Sequence, residues 1–367
     1  MILRKILFFL LISFVGQAQL LKDAWARKTI KSGLDAMYSF DFNESNATFN
    51  QLKTKYPNHP SSYLLLAMQM EWQYFPLQDH PNQKNSYKSL LEKSYNLASN
   101  AYEKNEEDLE AAFFCSASLG FLAAQEADSQ NFMKAVSYAK NAYGFLKIGI
   151  DKVELQPEFL YATGIYHYYR IAYPELHPII KPFMWFFKDG NKRLGLSQLE
   201  KAGSETVFVQ NEAQFYLPYI LNKYEGTPAA GLGISANLIK DHPNNLIYIL
   251  QRAELLTLTK NFEAAEDFCE KLLQSKNKYF QGCYYTLEGM KYEAQKDYTK
   301  AEAFYLKSTF FPFEERFTKD IRGLSYLGLA RIHLKKNQKS IAKKYVHLAE
   351  NFVEYKNSLE ELERLKK

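Results

Sequence analysis

The chain has 367 residues, and its 46 Lys+Arg against 41 Asp+Glu leave a formal charge of +5, too small an excess for a protein built mainly to bind nucleic acid. The composition is 47% hydrophobic and 24% charged, which is globular and excludes long disorder. Its 27 Tyr and 27 Phe against only 16 Gly and 12 Pro point to helices packed on helices, and three Cys cannot supply a disulfide framework.

Residues 1–18 read as a secretory signal. Arg4 and Lys5 form a positive start, Ile6 to Val15 an apolar run, and Gly16-Gln17-Ala18 a small-residue cleavage site. The apolar run is about half the ~20 residues that a bilayer span needs. No Cys lies near the cleavage point to carry a lipid anchor. The expected setting is therefore export, to the periplasm or outer envelope face of a bacterium, and no later stretch reads as a transmembrane segment.

The mature chain divides into helical hairpins over 19–156, an atypical segment over 157–203, further repeats over 204–356 and a charged tail over 357–367. Near the start Gly33, Phe42, Ser45, Phe49, Leu52 and Pro57 mark a first unit. Apolar periodicity then predicts helices over 61–74, with Ser61 or Ser62 as N-cap, and over 86–102 and 109–127. Phe132, Ala135, Ala139 and Ala142 continue the series. After the atypical segment, Gly231 takes the small place in a partial unit. The clearest units follow. Ala253 and Ala265 stand twelve apart, as do Gly289 and Ala301, and the two units are offset by thirty-six residues. Leu327, Gly328, Ala342 and Ala349 carry the last unit, and the tail reads as a fraying helix.

The spacing has a physical cause. Two antiparallel helices approach closely only where both carry small residues at the same level, and aromatics a turn away fill the wedge. Such a hairpin cannot bury its face alone, so neighbours stack. Pro57, Pro243 and Pro312 stop helices, because Pro lacks the N–H and disfavours helix in the residue before it. These residues resemble the tetratricopeptide repeat. The resemblance implies an all-α fold, an α-solenoid of stacked antiparallel hairpins in a right-handed superhelix, with a groove that takes a protein or peptide.

Residues 157–203 depart from the repeat. A helix bearing Tyr161, Tyr166, His167, Tyr168, Tyr169, Arg170 and Tyr173 leads to a turn cluster at Pro174–Pro178 and a proline-broken apolar stretch with Trp185. Phe187-Lys188-Asp189-Gly190-Asn191-Lys192-Arg193-Leu194-Gly195 then opens an amphipathic helix. This run is similar to part of the tetratricopeptide repeat protein 39 and inclusion-body-clearance family, with Asp-Gly-Asn here where that family has a Gly-Asp-Arg style of turn. The family is one of interaction proteins, so the resemblance implies no catalytic chemistry. The aromatics carry two readings: core filling, or a recognition patch of Tyr166, Tyr169, Arg170, Trp185, Lys188 and Arg193. In the second, rings stack on a ligand and cations pair its carboxylates. A third reading lays the apolar stretch on a membrane surface.

The remaining chemistry-bearing residues form no set. The seven His make no helical i, i+4 pair, no phosphate-cradling Gly loop occurs, and no cofactor or metal is expected. His59 and His242 read as turn residues beside Pro60 and Pro243, and Cys269 and Cys283 as buried thiols or a bridge. The sequence therefore points to a non-enzymatic scaffold for a protein or peptide partner. The alternative is a small-ligand or glycan-binding protein, which a deep aromatic pocket near 157–203 favours over an open groove.

Overall fold

The computed structural model describes residues 20–176, 178, 181, 184–185 and 187–366. The signal-like residues 1–18, His177 and most of the proline-broken stretch lie outside the described residues. Among the described residues the chain forms seventeen α-helices and no strand. In chain order the hairpins are α1 (Ala24–Tyr38) with α2 (Phe42–Lys55), α3 (Ser61–Gln73) with α4 (Pro81–Lys104), α5 (Leu109–Asp128) with α6 (Phe132–Ile150), and α7 (Phe159–Leu176) with α8 (Lys192–Glu205). Next come α9 (Gln210–Lys223) with α10 (Leu232–Asp241), α11 (Leu246–Leu258) with α12 (Phe262–Gln274), α13 (Lys278–Ala294) with α14 (Tyr298–Ser308), and α15 (Lys319–Lys335) with α16 (Lys339–Ala349). A last helix, α17 (Lys356–Leu365), closes the end. Partners within each hairpin pack together, and each second helix packs on the first helix of the next hairpin. This is an all-α solenoid.

Local rules account for the repetition. Asp23, Asp108, Asn245, Asn277 and Asp297 cap their helices by accepting hydrogen bonds from first-turn amides. Five hairpins share the same three-residue turn, with Phe40, Gln130, Lys260, Lys296 or Asn337 in the left-handed region at φ between 57° and 65°. At the small positions the packing leaves no slack. A Cβ on Gly33 would stand 2.3 Å from the Phe49 ring, and one on Gly289 or Gly328 would stand 2.5 or 2.2 Å from the Tyr305 ring. Tyr305 is fully buried between those two glycines, its hydroxyl donating to Glu293 at 2.8 Å.

Several local expectations are corrected. Neither Ser61 nor Ser62 caps α3: Ser61 pairs with His59 Nδ1 at 2.8 Å, and Ser62 donates to the Tyr56 carbonyl at 2.8 Å. The turn expected at Pro174 is absent, since α7 runs through that buried proline to Leu176. Gly231 lies in the short 3-10 turn before α10, where a Cβ would meet Pro218 at 2.9 Å. Cys269 and Cys283 are separate buried thiols, not a bridge. The terminal stretch expected to fray buries Leu362 against α15, because Tyr355 just before it donates to the buried Glu254 at 2.6 Å.

The solenoid does not stay open. Its curvature brings the first three helices against hairpins more than two hundred residues later in the chain. The Asn245 side chain donates to the Tyr38 carbonyl at 2.9 Å, Ser39 Oγ pairs with His242 Nδ1 at 2.9 Å, and Asn277 donates to the Phe75 carbonyl at 3.2 Å. Tyr279 donates to Asp79 at 2.7 Å, and the rings of Tyr38 and Trp72 lie 6.2 and 5.7 Å from Tyr248. The result is a closed ring of hairpins around a central space. Because Tyr305 fills the wedge without slack, replacing Gly328 by Ala is expected to destabilise the chain by about 1–3 kcal/mol through overpacking. An unchanged urea midpoint in the Gly328→Ala variant would refute that account of the small positions.

Candidate functional site

The central space is a cavity of about 600 Å³, a size that accommodates a drug-sized molecule. Its walls come chiefly from α3, α5, α6, α7 and α9 and from the loop between α14 and α15. On one side α5 presents Ala117, Gly120, Phe121 and Ala124, and α6 presents Ala139 and Ala142. Opposite stand Trp72 and Phe75 from the end of α3 and Phe215 and Tyr216 from α9. From α7 come Tyr161, Ala162, Ile165, Tyr166 and Tyr169. The loop between α14 and α15 closes the ring with Arg316 and Phe317.

Gly120 distinguishes this wall from the hairpin contacts. It sits inside a helix, where glycine costs about 1 kcal/mol relative to Ala. A Cβ added there would meet nothing within 4 Å. Unlike Gly33 or Gly328, it makes room for no neighbour. Together with Ala117 and Ala124 it gives α5 a face of small residues bordering the cavity.

Charged groups gather at one end. Arg316 donates from one nitrogen to Glu71 at 3.1 Å and from the other to Asp128, and its guanidinium lies 5.5 Å from the centre of the Phe317 ring. Glu71 also accepts the Tyr87 hydroxyl at 3.2 Å. Burial works against the Arg316 charge, but Tyr216, Asp128 and Glu71 outweigh it and push its pKa up. Arg316 is aimed by Glu314, whose carboxylate accepts the backbone amides of Arg316 and Phe317, both at 2.8 Å. Two further carboxyls line the cavity. Glu212 accepts the Tyr38 hydroxyl at 3.0 Å. Glu158 accepts the amides of Val207 and Phe208 at 2.7 and 3.0 Å, clipping the α8–α9 connection beneath the aromatic wall. Burial pushes each of these two carboxyls up to about 7.

The residues expected to form a recognition patch are divided by the structure. Tyr166 and Tyr169 line the cavity. Tyr166 stacks on Tyr143 at 5.1 Å and donates to the Lys188 carbonyl, and Tyr169 meets Tyr224 edge-on at 5.2 Å. Arg170 donates to the carbonyls of Lys188 at 3.1 Å and Met184 at 2.9 Å, so it tethers the α7–α8 connection. Lys188 is exposed and pairs with Asp151 at 3.7 Å, Trp185 is 75% exposed, and Arg193 is exposed on α8. The six are therefore not one surface.

Sequence reasoning missed Glu71, Gln125, Asp128, Glu212 and Arg316. The small residues at 117, 120 and 124 recur at helical spacing, and that signal was available. Nothing local connects Arg316 with carboxylates 245 and 188 positions away. Among the described residues no group of three or more His, Cys, Asp or Glu is placed to hold a metal ion, and no helix is long and apolar enough to cross a membrane.

No protein-family model matches the sequence, and no curated protein matches it. Among solved structures, the chain is similar to a tetratricopeptide repeat protein from Parabacteroides merdae ATCC 43184. The two share 17% identity at a TM-score of 0.34, over 81% of this chain and 97% of that one. The described chain is built of stacked helical hairpins throughout.

The raised pKa values of Glu158 and Glu212 make stability depend on pH. The folded chain holds protons on these groups that the unfolded chain has already released, so their contribution is complete below the ordinary carboxyl pKa of 4.5 and is lost as pH rises through about 7. Thermal unfolding midpoints are expected to fall between about pH 5 and about pH 8.5, with roughly 3 kcal/mol per group as the upper bound. The Glu212→Gln variant should show a shallower fall, and an identical profile would remove Glu212 from the explanation.

Proposed function

We propose that the protein is a non-catalytic binding protein whose site is the central aromatic cavity, and that its ligand is a small molecule with an apolar body. The observation that carries this reading is the cavity of about 600 Å³ itself, lined mainly by aromatic and aliphatic side chains. A repeat fold of this kind is consistent with a protein-interaction role. An adaptor, however, grips its partner along an open groove, and here the groove is turned inward and joined across by Arg316, Asn245 and Asn277. The alternative of a small ligand, raised by the aromatic character of 157–203, gains support from Tyr161, Tyr166 and Tyr169 in the wall. A glycan is disfavoured, because predominantly aromatic and aliphatic walls would leave many sugar hydroxyls without partners. Export remains the expected setting, on the strength of residues 1–18.

The test is to plug the space. Gly120 borders the cavity and a Cβ there would meet nothing within 4 Å, so Phe at this position adds bulk beside the cavity and replaces a costly helical glycine. The Gly120→Phe variant should unfold at the same or a higher temperature, by up to about 1 kcal/mol in stability. It should also lose the fluorescence enhancement that the wild-type chain gives to the neutral apolar probe phenylnaphthylamine. Equal enhancement by the variant, or none by the wild type, would end the cavity reading.

A further inference from the structure

We propose that the exposed face of α6 docks on a lipid surface that carries anionic phospholipid. The docking stands on α6 itself and rests on the cavity reading only for its purpose, because an apolar ligand partitions into lipid. Helix α6 leaves uncovered the apolar residues at its start. Phe132 is 65%, Val136 64% and Met133 85% exposed, while Ala135, Tyr143 and Leu146 are buried. Three large apolar side chains within five residues make a patch, unlike single apolar residues scattered over a surface. The patch also continues the cavity wall. Phe132, Val136, Ala139 and Tyr143 follow one another at steps of four, three and four residues, so they form one stripe along the helix, and Ala139 and Tyr143 line the cavity.

Charge selects the occupant. From Phe132 to Ile150 the helix carries Lys134, Lys140 and Lys147 and no Asp or Glu. All three lysines are exposed, and Lys140 and Lys147 share the face of Met133 and Val136, at successive steps of three, four and seven residues. Lys147 leans over the Tyr143 ring, 5.6 Å from its centre. At the neighbouring end of α5, Glu126 is paired with Lys88 and Asp128 with Arg316, so these acids are already engaged. An apolar helix face accompanied by lysines and free of acids suits the headgroup region of a bilayer, where lysine stems cover apolar surface and the ammonium groups reach phosphates. A protein partner suits it less, since lysine is depleted in the cores of protein interfaces. A second copy suits it least, since a symmetric pair sets two faces of the same positive sign together.

The experiment is co-sedimentation of the full chain with vesicles of phosphatidylcholine alone and of phosphatidylcholine mixed with phosphatidylglycerol. The signal-like residues 1–18 are common to every variant, so differences between variants report α6. The wild type should bind the mixed vesicles at least about tenfold more tightly than phosphatidylcholine, and added salt should weaken that binding. Lys134→Glu combined with Lys140→Glu should cost at least about tenfold on the mixed vesicles. Phe132→Ser combined with Met133→Ser and Val136→Ser should cost at least about tenfold as well. These side chains are exposed, so both variants should keep the wild-type thermal midpoint and phenylnaphthylamine enhancement. A Met133→Cys variant locates the contact, because the three native thiols are buried and a polarity-sensitive maleimide dye goes to position 133. Its emission should move to the blue on the mixed vesicles. No binding by the wild type, equal binding to the two vesicle types, variants that bind as tightly as the wild type, or unchanged dye emission on sedimented protein would overturn the docking. So would a wild-type dimer that the triple Ser variant converts to monomer, since the face would then be a self-contact. Phenylnaphthylamine enhancement, measured on the same samples, decides the cavity reading separately.

Discussion

A guanidinium carried on a loop near the C-terminal end of the chain is gripped by carboxylates from α3 and α5, 245 and 188 residues earlier. That contact turns a series of hairpins into a closed object. Stacking alone explains why hairpins line up, since each has an apolar face that only a neighbour can cover. It does not explain why the first three helices meet the sixth and seventh hairpins. The Arg316 loop does so, assisted by polar side chains that reach across to backbone carbonyls, Asn245 to Tyr38 and Asn277 to Phe75. Glu314 makes the loop rigid before it arrives, by holding the amides of Arg316 and Phe317. The charged cluster thus both joins the ring and furnishes the polar end of what the ring encloses.

Two kinds of small residue serve opposite purposes in this fold. Gly33, Gly289 and Gly328 are small because an aromatic ring occupies the space beside them, so adding a methyl group means overpacking. Gly120 is small with nothing beside it, and its absent side chain leaves open space at the border of the cavity. The two are indistinguishable by residue type and by local helix context. Only the three-dimensional arrangement separates a packing glycine from one that shapes a binding space.

That contrast explains how much could be read from the sequence. The hairpin array was legible because its determinants are local: small residues twelve apart, aromatic wedges and helix-stopping prolines around Pro57, Pro243 and Pro312. The aromatic helix over 159–176 was recognisable as unusual, and Tyr166 and Tyr169 do line the cavity. What could not be read was closure. Asp128, Gln125 and Arg316 look in sequence like a helix end and a polar loop, and their meaning depends on a curvature summed over many hairpins. The assignment of Arg170, Trp185, Lys188 and Arg193 to the same surface as the tyrosines followed from nearness along the chain. The α7–α8 connection instead turns Arg170 into a tether and leaves the other three on the outside.

Ring closure also changes how such a chain acquires its structure. An open repeat array has only neighbour contacts, so it can nucleate anywhere and extend unit by unit at little cost in chain entropy. Here the pairing of Tyr38 with Asn245 and of Glu71 with Arg316 joins segments separated by 207 and 245 positions, so the last step must gather nearly the whole polypeptide at once. That raises the loop-closure entropy of the final step and slows it relative to a linear array. It also ties the N-terminal hairpins to the sixth and seventh, so that loosening either side opens the centre.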